Sequence, residues 1–370
     1  GSTGDAEPAA SVTNGDYMIT SSTEATLSGS FSGASAVPTE VGFYWGASSN
    51  SLTKLVASAV SSTGGTFTAK LTGLTEGQTY VYQAYVVVSG TGSHASEQKY
   101  FYASGTRYFK AGDSSPAVAG WLELPSSTVG QQYITDILRA GGKRNYTHLY
   151  DTEMYTSLWT AYPLYSNAMG SLGRPGSWHS NPQIDVKYQI NVWDGSYDGY
   201  SRGHMIPNGS RNGIREMQLQ TFYATNSVPQ LQNKFNGSIW GRLENALQGM
   251  ARQVDTLYIV TGVAFQKVGG TESVKYAKAS KDTRLCPVPN YFYKVALKVK
   301  RSGSTITDAC AVGVWMDHRD YSSDEEYDQF TVSVKQIEEW IGLDFFVNLP
   351  LALQSKAETN TSWTTFSSFR

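Results

Sequence analysis

The stretch Tyr200-Ser201-Arg202-Gly203-His204-Met205-Ile206-Pro207-Asn208 lies near the middle of the chain and sets an arginine, a glycine and a histidine side by side. A histidine titrates near neutral pH and can accept a proton from water, whereas an arginine stays charged and offers a planar fork of donors to a phosphate. The glycine lets the backbone come close to another group. Such a tripeptide occurs often by chance, so its weight depends on the residues downstream of it.

A helix with two distinct faces is predicted downstream, from about Gly237 to Arg252. Its apolar face repeats at three and four residues and consists of Ile239, Leu243, Leu247 and Met250. A second row contains Asn236, Trp240 and Glu244. Because two steps of four turn the chain by about 80°, Asn236 and Glu244 are expected to face the same space. Asn236 is also predicted to cap the helix N-terminus, where the dipole favours an anion or a metal-bound phosphate.

Several short motifs occur one after another in a fixed order. They are Arg202-Gly203-His204, Asn226-Ser227-Val228-Pro229-Gln230, Asn236, Trp240 and Arg242-Leu243-Glu244. In this order they resemble the DNA/RNA non-specific endonuclease family, which has the ββα-metal fold. The resemblance extends over about residues 131–355 and includes Tyr258-Ile259-Val260-Thr261-Gly262, Val288-Pro289, Gly342-Leu343 and Leu349-Pro350.

The resemblance implies a role for each matched residue. His204 would be the general base that activates the attacking water, and Asn236 would be the direct protein ligand of a hydrated Mg²⁺ ion, with Mn²⁺ as the alternative ion. Glu244 would hold water molecules of that ion. A single amide oxygen and a carboxylate suit Mg²⁺, which prefers oxygen ligands and keeps several waters. Arg202 and the upstream Arg174 would brace the phosphate, and Asn226 belongs to the same implied catalytic set.

Three positions depart from the family pattern. Ser201 replaces the usual aspartate before Arg-Gly-His, so either this serine or Asp198 is expected to orient the histidine. Gln248 replaces a basic residue one turn after the glutamate, and Arg252 is the expected substitute. Phe222 replaces an asparagine four residues before Asn226. The base and the metal ligand are retained, so activity is expected.

Composition limits the class of protein. With 370 residues, 40% hydrophobic and 16% charged, the chain is long enough for two domains with buried cores. The net charge of -2 gives no global attraction to nucleic acid, so a polyanion must meet a local basic patch. No run approaches the roughly 20 apolar residues that span a bilayer. Cys286 and Cys310 are too few for a disulfide framework; a turn near Arg301–Ser304 would set Cys310 opposite about Lys294, and their pairing is left open.

The first third of the sequence is typical of an all-β sandwich. Short runs rich in Val, Thr, Tyr and Phe alternate with Gly, Ser and Asn clusters. The predicted strands are Ala25–Phe31, Glu40–Gly46, Gly65–Leu71, Tyr80–Val88 and Gln98–Phe101. Tyr80, Tyr82 and Ala84 share one face, which resembles a core strand of a fibronectin type III domain; buried tyrosines are favoured over a carbohydrate-stacking platform. His94 is expected in a solvated loop.

The predicted organisation is a flexible leader over residues 1–14, the fibronectin III-like sandwich over 15–104, a linker over 105–130 and the endonuclease domain over 131–370. The linker carries an apolar patch, Val118–Leu124, that fits one strand. Further predicted strands are Ser157–Tyr165, Leu257–Phe265, Tyr291–Lys300 and Ala309–Met316, with a short helix over Val334–Ile341. The fold class is therefore α+β, with a mostly antiparallel sheet in the second domain.

Two functions of different class are compatible with these residues. The first is a Mg²⁺-dependent, sugar-non-specific endonuclease that cleaves DNA and RNA. The second is a catalytically impaired binding or adhesion protein on the same scaffold, which the departures at Ser201 and Gln248 leave open. The sandwich is expected to act as a spacer or to contact a surface or glycan, and the oligomeric state is left open. His148, His179 and His318 have no matched partners and are interpreted as structural. The leader, the sandwich and the hazard of a free nuclease predict a secreted, periplasmic or cell-surface location.

Overall fold

A computed structural model describes residues 9–21, 23–75, 78–95, 97–103 and 120–370. The chain divides into two compact units. One comprises Gly1–Tyr108 with Arg139–Lys143, and the other comprises Phe109–Leu138 with Arg144–Arg370. Most of the predicted linker lies outside the described residues, as do residues 118 and 119 of its predicted strand. Residues 120–124 are not in a strand, so the apolar patch does not form one.

The first unit contains two antiparallel sheets. Its strands are β1 (Ser11–Ser21), β2 (Glu24–Ser32), β3 (Glu40–Ser48), β4 (Ser51–Val56), β5 (Gly65–Leu71), β6 (Thr79–Val88), β7 (Thr91–His94) and β8 (Lys99–Tyr102). One sheet has the order β1-β2-β5 and the other β4-β3-β6-β7, with β8 also paired to β6. All five predicted strands are present. β1 begins within the segment predicted as a flexible leader, and His94 ends β7 rather than lying in a loop.

The two sheets share one hydrophobic core. Tyr80, Tyr82 and Ala84 on β6 are all buried, as the alternation in this strand predicts, and their burial excludes an exposed carbohydrate-stacking platform. The Tyr80 hydroxyl accepts a hydrogen bond of 2.8 Å from the backbone N–H of Thr75, just upstream of the strand. The Tyr82 hydroxyl donates to the carbonyl of Gly15 at 2.7 Å, which ties β6 to β1.

A seven-stranded sheet forms the centre of the second unit. Its strands are β9 (Tyr133–Ala140), β10 (Lys143–Asp151), β11 (Thr156–Leu164), β14 (Leu257–Ala264), β17 (Tyr291–Ser302), β18 (Thr305–Asp317) and β19 (Thr331–Val332). They lie in the order β19-β18-β17-β14-β11-β10-β9, and the pairings from β10 to β19 are antiparallel. Two small sheets accompany it: β12 (Ser201–His204) with β13 (Ser227–Gln230), and β15 (Lys275–Lys278) with β16 (Leu285–Val288). The prediction of an α+β unit with a mostly antiparallel sheet is confirmed.

Helices cover both faces of this sheet. They are α1 (Arg215–Gln220), a helical segment Gln232–Trp240 that continues into α2 (Gly241–Ala251), α3 (Val334–Ile341), α4 (Leu351–Glu358) and α5 (Trp363–Ser368). Short 3-10 turns occupy Ser166–Ala168, Val186–Tyr188, Asn208–Ser210, Ala224–Asn226 and Tyr327–Phe330. None of the helices in the described residues is long and apolar enough to cross a membrane.

The strands of the large sheet alternate between two cores. Leu257 and Ile259 of β14 belong to the core that includes α2, whereas Tyr258 and Val260 belong to the core that includes α3. Because β14 is buried on both faces, its sequence is a nearly continuous apolar run. The sheet therefore separates an α2 side from an α3 side.

Helix α3 has the bounds that the sequence predicts. The Ser333 hydroxyl caps its N-terminus by accepting a hydrogen bond from the Gln336 N–H at 3.0 Å. Gly342 ends it in the left-handed conformation, with φ of 71°, and donates its N–H to the Glu338 carbonyl at 2.8 Å.

Both cysteines are free thiols within the buried core. Cys310 pairs in register with Lys298, not with a residue near Lys294 as predicted, because the hairpin turn between β17 and β18 lies between Ser302 and Thr305. Cys286 lies in a different sheet, opposite Ala277.

Candidate active site

A polar cavity of about 490 Å³ in the second unit brings together five of the six predicted site residues. These are Arg174, Arg202, His204, Asn236 and Glu244. They come from four separate parts of the chain: the loop before β12, the strand β12 itself, the helical segment Gln232–Trp240 and α2. Asn226 is not among the lining residues. The cavity thus brings together β12 and the downstream helix, the two segments that carry most of the predicted site residues.

The short strand β12 carries His204 at its end and pairs with β13, where His204 lies opposite Ser227 and Gly203 opposite Val228. Gly203 is required by close packing. A Cβ atom at this position would lie 2.6 Å from the Cβ of Gln230, closer than side-chain atoms approach. The glycine therefore lets β12 and β13 pair beneath the cavity while the histidine projects into it.

Two aromatic rings hold the imidazole of His204. The Trp178 ring lies 4.6 Å from it between centroids, and the Phe222 ring meets it edge to face at 4.8 Å and 83°. The Nε2 atom of His204 is buried and has no hydrogen-bond partner among the described residues. Burial, reinforced by the positive charges of Arg174 and Arg202, lowers the pKa of His204 to about 3. The imidazole is consequently neutral at physiological pH.

The same two rings support the arginines. The Arg202 guanidinium stacks over Trp178 at 5.4 Å and donates to the carbonyl of Val192 at 2.9 Å. The Arg174 guanidinium lies over Phe222 at 5.2 Å. Each cation therefore has a defined position beside the histidine, held by an aromatic face. This arrangement produces a local positive potential in a chain whose net charge is slightly negative.

Two residues were predicted to orient the His204 imidazole, Ser201 and Asp198. Neither has this role in the structure. The Ser201 hydroxyl donates to the carbonyl of Gln230 at 2.9 Å, because alternation along β12 separates it from His204. Asp198 is exposed, and its backbone N–H binds the carbonyl of Lys278. The prediction for Ser201 or Asp198 is wrong, and the aromatic contacts with Trp178 and Phe222 position the imidazole instead.

Asn226 is buried beneath the site rather than in it. Its amide nitrogen donates to the carbonyls of Thr221 at 2.8 Å and Ile206 at 3.0 Å, and its amide oxygen accepts from the N–H of Ile206 at 3.0 Å. Every polar atom of the side chain is thereby bound to backbone. The structure corrects the implied catalytic contact of Asn226: this residue fixes the segment that follows His204.

The helix that carries the other half of the site starts earlier than predicted and is kinked. Residues Gln232–Trp240 are already helical, and the backbone N–H of Asn236 donates to the carbonyl of Leu231 at 3.0 Å. Asn236 is therefore not an N-cap. Ser238 has non-helical angles of -133° and -113°, and this kink shifts the helical phase. Trp240, predicted on the same row as Asn236 and Glu244, is fully buried.

Asn236 and Glu244 nevertheless both reach the cavity. The Asn236 amide nitrogen donates to Gln232 Oε1 at 3.0 Å, which turns the amide oxygen away from that bond. The Glu244 side chain is 16% exposed, and its carboxylate lies 4.0 Å from the ammonium of buried Lys294. Burial raises the pKa of Glu244, and Lys294 opposes this rise. An amide oxygen and a carboxylate form a donor set of hard oxygen ligands, which fits a hydrated divalent cation.

Several residues that line the cavity or contact its lining residues were not predicted. Gln248 lines the cavity, whereas Arg252, its expected basic substitute, is exposed and does not. Lys294 could have been found because it interrupts the apolar run of β17, and a charged residue in a buried strand requires a partner. Trp178 carries no local signal, since a tryptophan in a loop is usually part of the core. His148 and His318 have structural partners, Asp136 Oδ2 and the Leu231 N–H, each at 2.8 Å.

Comparisons with known proteins match the part of the chain that contains this cavity. The sequence profile of the DNA/RNA non-specific endonucleases matches residues 134–352. The mitochondrial nuclease EXOG of Danio rerio is 28% identical over 265 residues, which cover 70% of this chain and 73% of the relative. EXOG of Mus musculus is 31% identical over 46% of each chain. A nuclease of Nostoc sp. is 26% identical over 59% of this chain and 76% of its own.

A similar fold occurs in the solved structure of the EndoG/EndoGI complex. The match has a TM-score of 0.50 and 21% identity and covers 60% of this chain and 89% of that chain. The profile match spans more than half of the chain and includes every residue of the cavity described above. The chain therefore belongs to the DNA/RNA non-specific endonuclease family and is a nucleic-acid-hydrolysing enzyme.

Proposed function

We propose that this nuclease is a Mg²⁺-dependent, sugar-non-specific endonuclease that hydrolyses phosphodiester bonds within DNA and RNA. The observation that carries the proposal is the meeting, in one cavity, of the neutral His204 imidazole with two arginines and the oxygen donors Asn236 and Glu244. These are the groups that in-line hydrolysis of a phosphodiester requires: a base for the water, cations for the phosphate and donors for a metal.

His204 is assigned as the general base. In the free enzyme its pKa is depressed by burial and by Arg174 and Arg202, so the imidazole is neutral, with one unprotonated nitrogen, over the whole neutral range. A bound phosphate neutralises part of the positive potential of both arginines and thereby raises the affinity of the imidazole for a proton. The imidazole then accepts the proton of the attacking water as its oxygen bonds to phosphorus, and the bond to the leaving oxygen breaks.

Arg174 and Arg202 are assigned to the phosphate. Their stacking on Phe222 and Trp178 fixes the planes of the guanidinium groups before substrate arrives, which reduces the ordering needed to bind the transition state. Both cations act on the non-bridging oxygens, where negative charge accumulates. Recognition through phosphate oxygens reads neither base nor sugar, which suits cleavage without sugar or sequence preference.

Asn236 and Glu244 are assigned to the metal. The family implies a divalent cation, and we propose Mg²⁺ with Mn²⁺ as the alternative, held directly by the Asn236 amide oxygen and through water by Glu244. When bound, the ion polarises the phosphate and stabilises the leaving oxygen. Lys294 favours the ionised form of Glu244 by opposing the rise in the carboxyl pKa that burial causes.

The first unit is proposed to be a fibronectin type III-like module. Its two sheets and the Tyr80 hydroxyl bound to the backbone upstream of β6 support this, because such a tyrosine corner occurs in immunoglobulin-like sandwiches. Its contact with a surface or glycan stays a prediction.

We also propose export of the enzyme to the cell surface, periplasm or medium, since a sandwich module combined with a non-specific nuclease suits an extracellular role. Detection of the full-length protein in the cytosolic fraction alone would contradict export.

Incubation with supercoiled plasmid and with single-stranded RNA tests the proposed function. Cleavage of both is expected in Mg²⁺ or Mn²⁺, with nicked and then linear plasmid as intermediates, and EDTA should abolish it. Cleavage that starts only from free ends would contradict the endonuclease assignment. Failure to cleave either polymer with any divalent metal would instead favour an impaired, nucleic-acid-binding scaffold.

A further inference from the structure

A second cluster of acidic side chains lies on the α3 side of the large sheet. Glu338 on α3, Asp344 in the loop after it and Glu358 at the end of α4 each place a carboxylate oxygen within 4.8 Å of the others. Glu338 and Glu358 are buried, and Asp344 is exposed. The three residues share a cavity of about 530 Å³ that opens to solvent. None of them belongs to the active site.

Glu358 provides an independent sign that something binds here. It is only 4% exposed, and its Oε1 atom is buried without a hydrogen-bond partner among the described residues. Burial, with the nearby Glu338 and Asp344 carboxyls, raises the pKa of Glu358 to about 8. An unpartnered buried carboxylate oxygen is costly unless a cation or a proton satisfies it.

The surrounding hydrogen bonds hold the other two carboxylates in place. Glu338 Oε2 accepts from the backbone N–H of Phe345 at 2.8 Å, and Asp344 Oδ1 accepts from the side-chain amide of Gln354 at 2.8 Å. Gln354 donates to the carbonyl of Phe345 as well, also at 2.8 Å. These bonds connect α3, the loop and α4, so the oxygen donors are positioned before any ion arrives.

The cation paired with this cluster, Lys335, is a weak counter-ion. Its ammonium lies 3.1 Å from Glu338 Oε1, but its side chain is 60% exposed. An exposed lysine contributes little free energy to such an ion pair, and its side chain can rotate into solvent. It balances one of three carboxylates and leaves the buried Glu358 oxygen uncompensated.

We propose that Glu338, Asp344 and Glu358 form a Ca²⁺ site that joins α3 to α4 and stabilises the second unit. Oxygen ligands on opposite sides of Ca²⁺ are separated by about 5 Å and those of Mg²⁺ by about 4 Å, so a spread of up to 4.8 Å suits the larger ion. Ca²⁺ also accepts irregular geometry and completes its shell with water, for which the open cavity has room.

Thermal unfolding in buffer saturated with Mg²⁺ tests the proposal without interference from the active-site metal. Addition of 5 mM Ca²⁺, a concentration about fiftyfold above a dissociation constant on the order of 0.1 mM, should raise the Tm of the second unit by about 5 °C. The shift should persist in Asn236→Ala. Its loss in that variant would place the ion in the active site, and no shift in the wild type would overturn the proposal.

Variants of the cluster locate the ion. Glu358→Gln should abolish the Ca²⁺ shift, whereas Glu339→Gln, which removes an exposed charge from the same helix as Glu338, should retain it. Lys335→Gln should tighten Ca²⁺ binding several-fold because it removes a competing cation. If Glu358→Gln fails to fold, Asp344→Asn in the exposed loop should weaken Ca²⁺ binding at least tenfold by calorimetry. Retention of the shift in Glu358→Gln, or equal loss in Glu339→Gln, would contradict a chelating site.

Discussion

Phe222 meets His204 edge to face at 4.8 Å, at a position where the family pattern has an asparagine. Phe222 is buried and also lies beneath the Arg174 guanidinium. It thus excludes water from the imidazole and holds the neighbouring cation. Phe222, which departs from the family pattern, therefore helps to hold His204 and Arg174 in position.

Phe222→Leu should lower kcat/KM about tenfold and raise the pKa of His204, because water reaches a less tightly held imidazole. The acid limb of the kcat/KM profile should move to higher pH accordingly. Phe366→Leu, at another fully buried phenylalanine, is the control for general loss of packing. An unchanged pH profile in Phe222→Leu would assign the phenylalanine to packing alone.

His204→Ala should reduce cleavage by about 10²–10⁴-fold while leaving thermal stability and Mg²⁺ binding intact, because the base acts only in the chemical step. Initial rates of plasmid nicking measure the loss. His94→Ala in the first unit is the matched control. Turnover near that of the wild type would show that another group removes the proton.

Arg174→Gln should raise the pKa of His204, since a nearby positive charge that disfavours the imidazolium is removed. Protonation then begins at higher pH, and activity at pH 5 falls relative to activity at pH 8. Arg174→Lys keeps the charge and should leave the pKa low. Titration of the His204 C2–H resonance by NMR distinguishes the two variants; equal values in both would exclude an electrostatic influence of Arg174.

Asn236→Ala should lose activity and Mg²⁺ binding together, by about 10²-fold or more, because the direct oxygen ligand is removed. Asn236→Asp should still bind Mg²⁺. Asn245→Ala, which alters a second polar residue of the same cavity, is expected to retain both properties. Mg²⁺ titrations followed by calorimetry and by rate measure the outcome, and undiminished metal binding by Asn236→Ala would refute the assignment.

Lys294→Met should destabilise the metal-free enzyme by about 3–5 kcal/mol, because the buried Glu244 carboxylate loses its counter-charge. The folded-state pKa of Glu244 already lies above its unfolded value and would rise further. Folding then retains a proton that the unfolded chain releases, so the destabilisation should be small at low pH and grow as pH rises through that pKa. Urea unfolding in EDTA from pH 5 to pH 8 measures it. The double variant Glu244→Gln/Lys294→Met should recover most of the loss, and a pH-independent effect would contradict this coupling.

Strong local patterns predicted the secondary structure well. β5 has the predicted bounds because its residues alternate strictly between buried and exposed. α3 has the predicted bounds because a serine caps its first turn and a glycine ends it. β1 and β4 were missed, since their small polar residues resemble a leader or a loop. The kink at Ser238 was also missed, although it lies at Gly237-Ser238, a glycine-serine pair of the kind at which helices kink.

The motifs predicted the residues that line the cavity better than the residues that hold those side chains in position. Spacing placed Asn236 and Glu244 in one cavity with His204 even though the helix is not regular between them. The contacts of Trp178, Phe222 and Lys294 depend on tertiary pairing between distant segments, for which the sequence holds no periodic signal. The same is true of Glu338, Asp344 and Glu358, whose carboxylates meet only when α3 and α4 pack together.

The two-sided burial of the large sheet has a consequence for how this enzyme can change. The residues of the cavity lie with α2 on one face, and the acidic cluster lies with α3 and α4 on the other. Substitutions on the two faces share no side-chain partner, so their free-energy effects should add. Resistance to inactivation and catalytic rate can then change separately. Selection or engineering can stabilise the nuclease through substitutions on the α3 side without altering the rate of cleavage on the α2 side.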